Sequence, residues 1–521
     1  MNIRRKLVVS IRSTLAMLLT AFIVSSGSTI AQAADYVPVS GAGSSWSANA
    51  VDQWRRNVTQ YGMRVNYAST GSVDGRNQFK GGTVDFAVSE TPYGLTDNGV
   101  TEPLPTQGFA YMPIVAGGTA FMYNLTSGGN QITNLRLSGD TITKMFTGDI
   151  TKWNDSAIAK DNPGLTLPDR AVVPVVRSDG SGSTAQFTLW MSKKHKGVWD
   201  AYCRSVDRPT PCGQTSFYPT KSGMVAQPGS QGVSGYVAQK ANEGTITYVE
   251  YSYALKTGFP VAKVLNKSGY YTEPTAKNVA VALQGAKINM TRGDEYLTQI
   301  LDGVFDNKDP RTYPLSSYSY MIVPTEVQGS ITEAKGKTLS AFSNYFLCEG
   351  QQQAEVLGYS PLPVNLVKAG LDQVKLIPGA ETGNVDINKC NNPTLDPKFI
   401  SGAPMPQECD KVGTSQCTTG TGGASGTSTT GTTGTTGTTG TTGTGTGTSG
   451  GGFGATMGTG PTKCDVDTGV CSNVKAVPIA TTSIGWSATN WIIISVIALL
   501  VMVIVIPPVM VTFAARKRST R

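Results

Sequence analysis

The 521-residue chain predicts an α/β globular region with largely parallel sheets, a disordered Gly/Thr stalk and one C-terminal transmembrane helix. Three observations carry this expectation. Up to about Cys417, short apolar strands alternate with helical stretches, the pattern of α/β lobes. From Thr418 to Thr462 the sequence is almost wholly Gly and Thr, a composition that cannot bury a core. Trp491 to Phe513 is nearly unbroken Ile, Val, Leu, Met and Ala.

Taken in chain order, residues 1–33 read as a secretory signal. Arg4, Arg5, Lys6 and Arg12 precede the apolar run Leu15 to Val24, and Ala31-Gln32-Ala33 has the small-x-small form that signal peptidase accepts. The mature chain is expected to begin near Ala34, where no cysteine offers an N-terminal lipid anchor. Residues 34–417 form the expected ectodomain. Trp46, Ala50, Val51, Trp54 and Val58 recur at helical spacing, whereas Thr83–Val88 and Ala171–Val176 read as strands. Tyr236 and Val237 sit on a predicted helix before the strand Thr245–Val249.

The stalk, residues 418–462, averages roughly 35 to 40 Å end to end as a flexible chain and reaches about 150 Å when stretched. Residues 463–490 are a juxtamembrane segment carrying a cysteine pair. The apolar run 491–513 is about 35 Å long as a helix, enough for a hydrocarbon core of about 30 Å. Trp486 and Trp491 suit one interface, and Arg516, Lys517, Arg518 and Arg521 in the tail 514–521 suit the cytoplasmic side. The expectation is a single-pass protein of the cell membrane with an extracytoplasmic, monomeric ectodomain.

The net charge of +8 dissolves once located. Four positive charges lie in the signal and four in the tail, so the exported part is neutral and offers no general basic patch for nucleic acid. The eight cysteines in an exported chain argue for disulfides. Neighbouring pairs suggest Cys203 with Cys212, Cys409 with Cys417 and Cys464 with Cys471, leaving Cys348 with Cys390. No Cys-x-x-Cys supports zinc, and the one histidine, His195, lies in a lysine-rich stretch. A Ser-His-Asp or multi-histidine mechanism has to pass through that residue, so the chain does not read as an enzyme, and no cofactor or metal is implied.

Three segments share a design that carries chemistry. Gly41-Ala42-Gly43-Ser44-Ser45 precedes the Trp46 helix, Thr70-Gly71-Ser72 precedes Asn77-Gln78-Phe79, and Asp179-Gly180-Ser181-Gly182-Ser183 precedes the Gln186–Met191 helix. Glycine admits close backbone approach, serine adds a hydroxyl donor, and a helix start carries about half a positive charge. Any one is an ordinary capped helix; three converging would hold an anion. Arg177 ends a strand two residues before Asp179, which allows that carboxylate to orient the guanidinium. Glu90 follows the strand Val84–Ser89 at its carboxyl end, where open α/β sheets bind ligands. A carboxylate in an anion pocket requires an anion that brings its own proton, as hydrogen phosphate does and sulfate does not.

These segments, with Asn66-Tyr67-Ala68-Ser69, Val84-Asp85-Phe86-Ala87-Val88-Ser89-Glu90, Tyr248-Val249-Glu250-Tyr251 and the stretch Phe146–Asp155, resemble the phosphate-specific substrate-binding proteins of ABC importers, the PstS family. The resemblance spans roughly residues 38 to 375. It implies a type II periplasmic-binding fold, two lobes joined by crossover strands. Lobe 1 is then about 36–115 and 258–375, and lobe 2 about 116–257. It implies phosphate as ligand, with Ser45, the backbone amide of Trp46, Ser72, Arg177, Ser181, Gly182 and Ser183 as donors, and ABC permease subunits as partner. Glu90 stands where the family has Asp and Ser183 where it commonly has Thr. Two alternatives stay open: a surface-displayed sensor or adhesin with the same fold, and a receptor for another protonated oxyanion.

Overall fold

The computed structural model describes residues 36–381 and 385–425, and the backbone of 463–464 and 471–472. The signal, most of the stalk, the apolar run 491–513 and the basic tail lie outside the described residues. Among the described residues no helix is long and apolar enough to cross a membrane.

The first lobe is built from β1 (Val39–Gly43), α1 (Ala48–Asn57), β2 (Val65–Ala68), α2 (Ser72–Lys80) and β3 (Phe86–Ser89). A small hairpin, β4 (Thr96–Asp97) and β5 (Val100–Thr101), precedes the long strand β6 (Phe109–Tyr123). A second small hairpin, β7 (Thr126–Ser127) with β8 (Asn130–Gln131), opens lobe 2. There follow β9 (Arg136–Leu137), α3 (Gly139–Thr147), α4 (Ser156–Asp161), β10 (Val173–Arg177), α5 (Gly182–Lys194) and α6 (Lys196–Ser205). β11 (Val225–Gln227), α7 (Gly229–Val237), β12 (Thr245–Glu250), α8 (Tyr251–Thr257), β13 (Val261–Leu265) and β14 (Tyr271–Thr272) complete it. The chain returns to lobe 1 through α9 (Ala276–Leu283), β15 (Lys287–Ile288), β16 (Gln299–Ile300), α10 (Asp302–Phe305), β17 (Ser316–Pro324), α11 (Glu333–Leu347), α12 (Ala354–Leu357) and α13 (Val364–Val374).

One sheet runs through both lobes in the order β11-β10-β12-β6-β17-β3-β1-β2. Each lobe keeps a parallel trio, β2-β1-β3 and β11-β10-β12, while β6 and β17 run antiparallel to their neighbours. The sheet is therefore mixed rather than largely parallel, because the crossover strands must run back between the lobes. Strand β6 changes partner abruptly: Gly118 faces Ser316 of β17, and Thr119 faces Glu250 of β12. Only glycine fits beside this switch. A Cβ on Gly117 would lie 2.7 Å from the Trp46 ring, and one on Gly118 would lie 2.5 Å from Pro274. Strand β13 pairs with β6 and β9, and β14 pairs with β13, so residues 261–272 join the β6 end of the sheet that also carries β12. Those pairings join distant segments, which local periodicity cannot register.

Aromatic packing fixes α5 on the lobe 2 sheet. Phe187 lies 4.9 Å from Tyr248, 5.1 Å from Phe146 and 5.4 Å from Phe121, measured between ring centroids. All four rings are buried, so the helix start is held by several kcal/mol of apolar burial, about 1.5–3 per side chain.

A C-terminal strap, residues 385–425, runs from lobe 1 to lobe 2. Cys390 is disulfide-bonded to Cys348, Phe399 on α14 (Lys398–Ser401) packs on Ala276 and Ala280, and Arg311 donates to the carbonyls of Ile400, Ser401 and Ala403. On lobe 2, Lys263 pairs with both oxygens of Asp410 at 2.8 Å, and buried Arg136 donates to Cys409 O and Thr414 O at 2.9 Å. The disulfides Cys203–Cys212 and Cys409–Cys417 are also formed; the side chains of Cys464 and Cys471 lie outside the described residues, though their backbones pair antiparallel. The strap extends beyond the composition break at Thr418: Thr421 donates to Thr133 O and Val261 O, and Gly422 N donates to Glu273. Backbone groups near a Gly/Thr tract find partners here that composition does not reveal.

Candidate functional site

The Gly/Ser helix starts of α1, α2 and α5 meet where the lobes close. The β1–α1 turn is possible because Gly43 adopts φ +137°, and a Cβ there would lie 2.2 Å from Val88 O. Its successive carbonyls are taken one by one: Tyr67 OH donates to Ser44 O (2.7 Å), Tyr253 OH to Ser45 O (2.5 Å) and Tyr359 OH to Trp46 O (2.6 Å). In a peptide the N–H points away from the preceding carbonyl, so fixing three carbonyls also fixes the amides between them. The Ser44 hydroxyl accepts from Trp46 N at 3.0 Å, which places Ser44 next to the amide expected to act as a donor.

Glu90 is 1% exposed. Ser44 Oγ and Ser319 Oγ donate to its Oε1 at 2.5 and 2.6 Å, and Ser72 Oγ donates to Oε2 at 2.8 Å. A carboxylate offers about four lone-pair sites, so roughly one remains open. The added methylene relative to Asp is absorbed by folding the carboxylate against the start of α5: a Cβ on Gly182 would lie 2.1 Å from Glu90 Oε2 and 2.7 Å from Ser72 Oγ. Glycine is required there. Gly182 N donates across the cleft to Ser72 Oγ at 3.1 Å, and Gln186 Nε2 donates to Glu90 O at 2.7 Å.

At the same helix start, Ser181 caps α5 by accepting from Thr184 N at 3.2 Å. The buried Ser183 hydroxyl has no partner among the described residues. An unsatisfied buried hydroxyl costs about 1–3 kcal/mol, and at a helix start it is a donor available to an anion.

Arg177 ends β10 and is 3% exposed. Its Nε donates to Asp179 Oδ1 at 2.7 Å, its Nη2 pairs with Asp179 Oδ2, and its Nη1 faces Ser230 Oγ at 3.5 Å. Burial pushes the Asp179 carboxyl up, but the Arg177 bonds and the Gly229 amide outweigh it and leave it below the ordinary carboxylate value. Ser230 joins the lobes: its hydroxyl lies 2.9 Å from Ser45 Oγ, and its amide donates to Ser45 Oγ at 2.8 Å. A Cβ on Gly71 would lie 2.5 Å from Asp179 Oδ2. The residues thus form a closed ring, from Glu90 through Ser72, Gly71, Asp179, Arg177, Ser230 and Ser45 back to Ser44 and Glu90. With two carboxylates and one guanidinium, the ring gains no net positive charge; oriented dipoles do the holding.

Of the residues expected to hold the anion, Ser45, Ser72, Glu90, Arg177 and Asp179 lie on this ring, and Trp46, Ser181, Gly182 and Ser183 lie at the starts of α1 and α5 beside it. Reading the sequence quoted the segments of Ser44 and Tyr67 without giving either residue a role, and it missed Ser230, Ser319, Tyr253 and Tyr359. The run Pro228-Gly229-Ser230 repeats the glycine-serine helix start and could have been found that way; Ser319 and the tyrosines carry no local signal. His195 is elsewhere, at the far end of α5, roughly 20 Å along the helix axis. Its ring meets Trp190 edge-on with 4.7 Å between centroids. Burial, helped by Lys194 and opposed by Asp140, lowers it to about 4.

Residues 26–349 match the family model described as a PBP superfamily domain. The chain is 32% identical over 333 residues to the phosphate-binding protein PstS of Xylella fastidiosa, covering 64% of this chain and 83% of that one. It is 31% identical over 346 residues to PstS of Pasteurella multocida, covering 66% and 91%. A solved phosphate-binding protein from Stenotrophomonas maltophilia overlaps 71% of this chain and all of its own, with 18% identity and a TM-score of 0.48. The extent of these sequence matches, over the same segment that builds the ring, places the chain in the PstS family of substrate-binding proteins within the PBP superfamily.

Proposed function

We propose that the chain captures inorganic phosphate between its two lobes, outside the cytoplasm, and delivers it to an ABC importer. The observation that carries this reading is the ring itself: a guanidinium, four serine hydroxyls at helix starts and one carboxylate with an open lone pair, all buried at one point between the lobes. The donors suit three oxygens of a tetrahedral anion, and Glu90 suits a fourth oxygen that bears a proton. Ser45, the Trp46 amide, Ser72, Arg177, Ser181, Gly182 and Ser183 are the proposed donors, with the Trp46 amide, Ser72 and Gly182 exchanging their present partners Ser44, Glu90 and Ser72 for the anion; Glu90 is the acceptor and Asp179 the residue orienting Arg177. The relatives named PstS support the same ligand. Capture without turnover is favoured by His195, which is tied against Trp190 at the wrong end of α5.

Titration calorimetry of the intact chain in detergent, with phosphate, arsenate and sulfate, tests the reading. Phosphate and arsenate should bind and sulfate should not; equal sulfate binding refutes the role of Glu90, and no phosphate binding refutes the whole proposal. The apolar run 491–513 with its basic tail supports a single membrane anchor for the ectodomain. Such a tether keeps a receptor at high effective concentration near its permease. Release of the protein from membranes by carbonate instead of detergent would refute the anchor, and retained phosphate uptake after deletion would favour sensing over import.

A further inference from the structure

Resting on that reading, we propose that Asp97 is a positioning residue for the phosphate site: it clasps lobe 2 and sets how fast the ligand leaves. Asp97 stands on the β4–β5 hairpin, which belongs to lobe 1 and is held there by buried Arg76, whose Nε donates to Glu102 at 3.0 Å. Across the cleft, Arg208 lies inside the loop closed by Cys203–Cys212 and pairs with Asp97 Oδ1. The other oxygen accepts from Thr215 Oγ1 at 2.6 Å and Ser216 N at 3.3 Å. Both charged side chains are largely shielded, with 15% of Arg208 and 24% of Asp97 exposed, so the contact is more than a surface ion pair.

What makes this clasp part of the site is where its lobe 2 end leads. Ser216 O accepts from the amide of Ser181, the cap of α5, at 2.9 Å. Thr215 N donates to Thr188 Oγ1 of the same helix at 2.9 Å, and Thr188 Oγ1 donates back to Thr215 O at 2.9 Å. Trp199 Nε1 donates to Gly213 O at 2.9 Å and Cys212 N to Asp200 Oδ1 at 2.9 Å, which brace the receiving loop. Asp97 therefore grips the peptide that positions the proposed anion cradle, and opening the lobes must part Asp97 from three donors at once. Contacts present only in the closed form slow its opening, so their loss appears in dissociation more than in association.

The test is a chase experiment on the intact chain in detergent, loaded with radiolabelled phosphate and diluted into unlabelled phosphate. Asp97→Asn should speed release about tenfold and Arg208→Gln about fivefold, with association changed less than about twofold. The Asp97→Asn/Arg208→Gln pair should be no faster than Asp97→Asn alone. Release of Asp97→Asn within twofold of the unmodified chain overturns the proposal; if that variant fails to fold by circular dichroism, Thr215→Val is judged by the same criterion. If the unmodified chain retains no labelled phosphate, the phosphate reading itself falls. The clasp then stands or falls on amide hydrogen exchange in peptides covering residues 213–217, which Asp97→Asn must accelerate.

Discussion

The lobes are joined by two sets of contacts that differ in kind, one in the cleft and one along the strap. On the cleft side, the lobes meet through hydroxyls, amides and a few shielded charges: Ser45 with Ser230, Ser72 with Gly182, Glu90 with Gln186. On the strap side, a disulfide, a shielded pair between Lys263 and buried Asp410, and a buried arginine with two carbonyls fasten residues 385–425 across lobe 1 and lobe 2. Neutral hydrogen bonds contribute about 0.5–1.5 kcal/mol each against water, so the cleft side can exchange its partners for solvent or for an anion at small cost. The strap side cannot, because parting its pair strands a buried charge. One side is built to be remade in every binding cycle and the other to be made once.

That contrast breaks down if strap substitutions change affinity or cleft substitutions change stability. The largest effect belongs to the strap: Lys263→Met leaves Asp410 buried without its cation and should cost about 3–5 kcal/mol of unfolding free energy in urea. Phosphate affinity of the folded variant should stay within about threefold. Arg177→Ala should do the reverse, weakening phosphate binding by a hundredfold or more, near 3 kcal/mol, in calorimetry. Asp179 keeps the Gly229 amide and is more exposed than Asp410, so unfolding without ligand should shift by less than for Lys263→Met, and an equal or larger shift would assign Arg177 to the scaffold.

A pH effect separates the frame of lobe 2 from both. Burial, more than the nearby charges of Asp140 and Lys194, lowers His195 from 6.5 to about 4. The unfolded chain then binds more protons than the folded one between these values, so stability is lost as pH falls from about 6.5 toward 4. From pH 7 to pH 5 the loss is about 2 kcal/mol, and His195→Asn should flatten that part of the profile. An unchanged profile would remove His195 as the cause. The smallest expected effect is one of selectivity: Glu90→Gln should shrink the phosphate-to-sulfate affinity ratio by about tenfold, since half of its acceptor becomes a donor.

How much of this was legible depends on the range over which each feature is encoded. Helix starts are local, so the segments at Ser45, Ser72 and Ser181 could be read directly, as could the strand ends carrying Glu90 and Arg177. The partners that define the site's chemistry arrive from far along the chain: Ser319 on β17 and Tyr359 after α12 reach residues 44–90 only through the crossover. The pairing of β13 with β6 escapes a local reading for the same reason, since it spans more than a hundred residues. Composition likewise located the Gly/Thr tract but not the short stretch through Ser425 that turns its backbone groups inward.

The grip on the β1–α1 turn has a consequence for the release step. Ser44 O is held by a tyrosine of lobe 1, whereas Ser45 O is held by Tyr253 of lobe 2. When the lobes separate, the second carbonyl must let go, and the peptide it steadied is free to reorient toward water. An opening that breaks the Tyr253 bond would make losing the ion and losing the shape that fits it a single event.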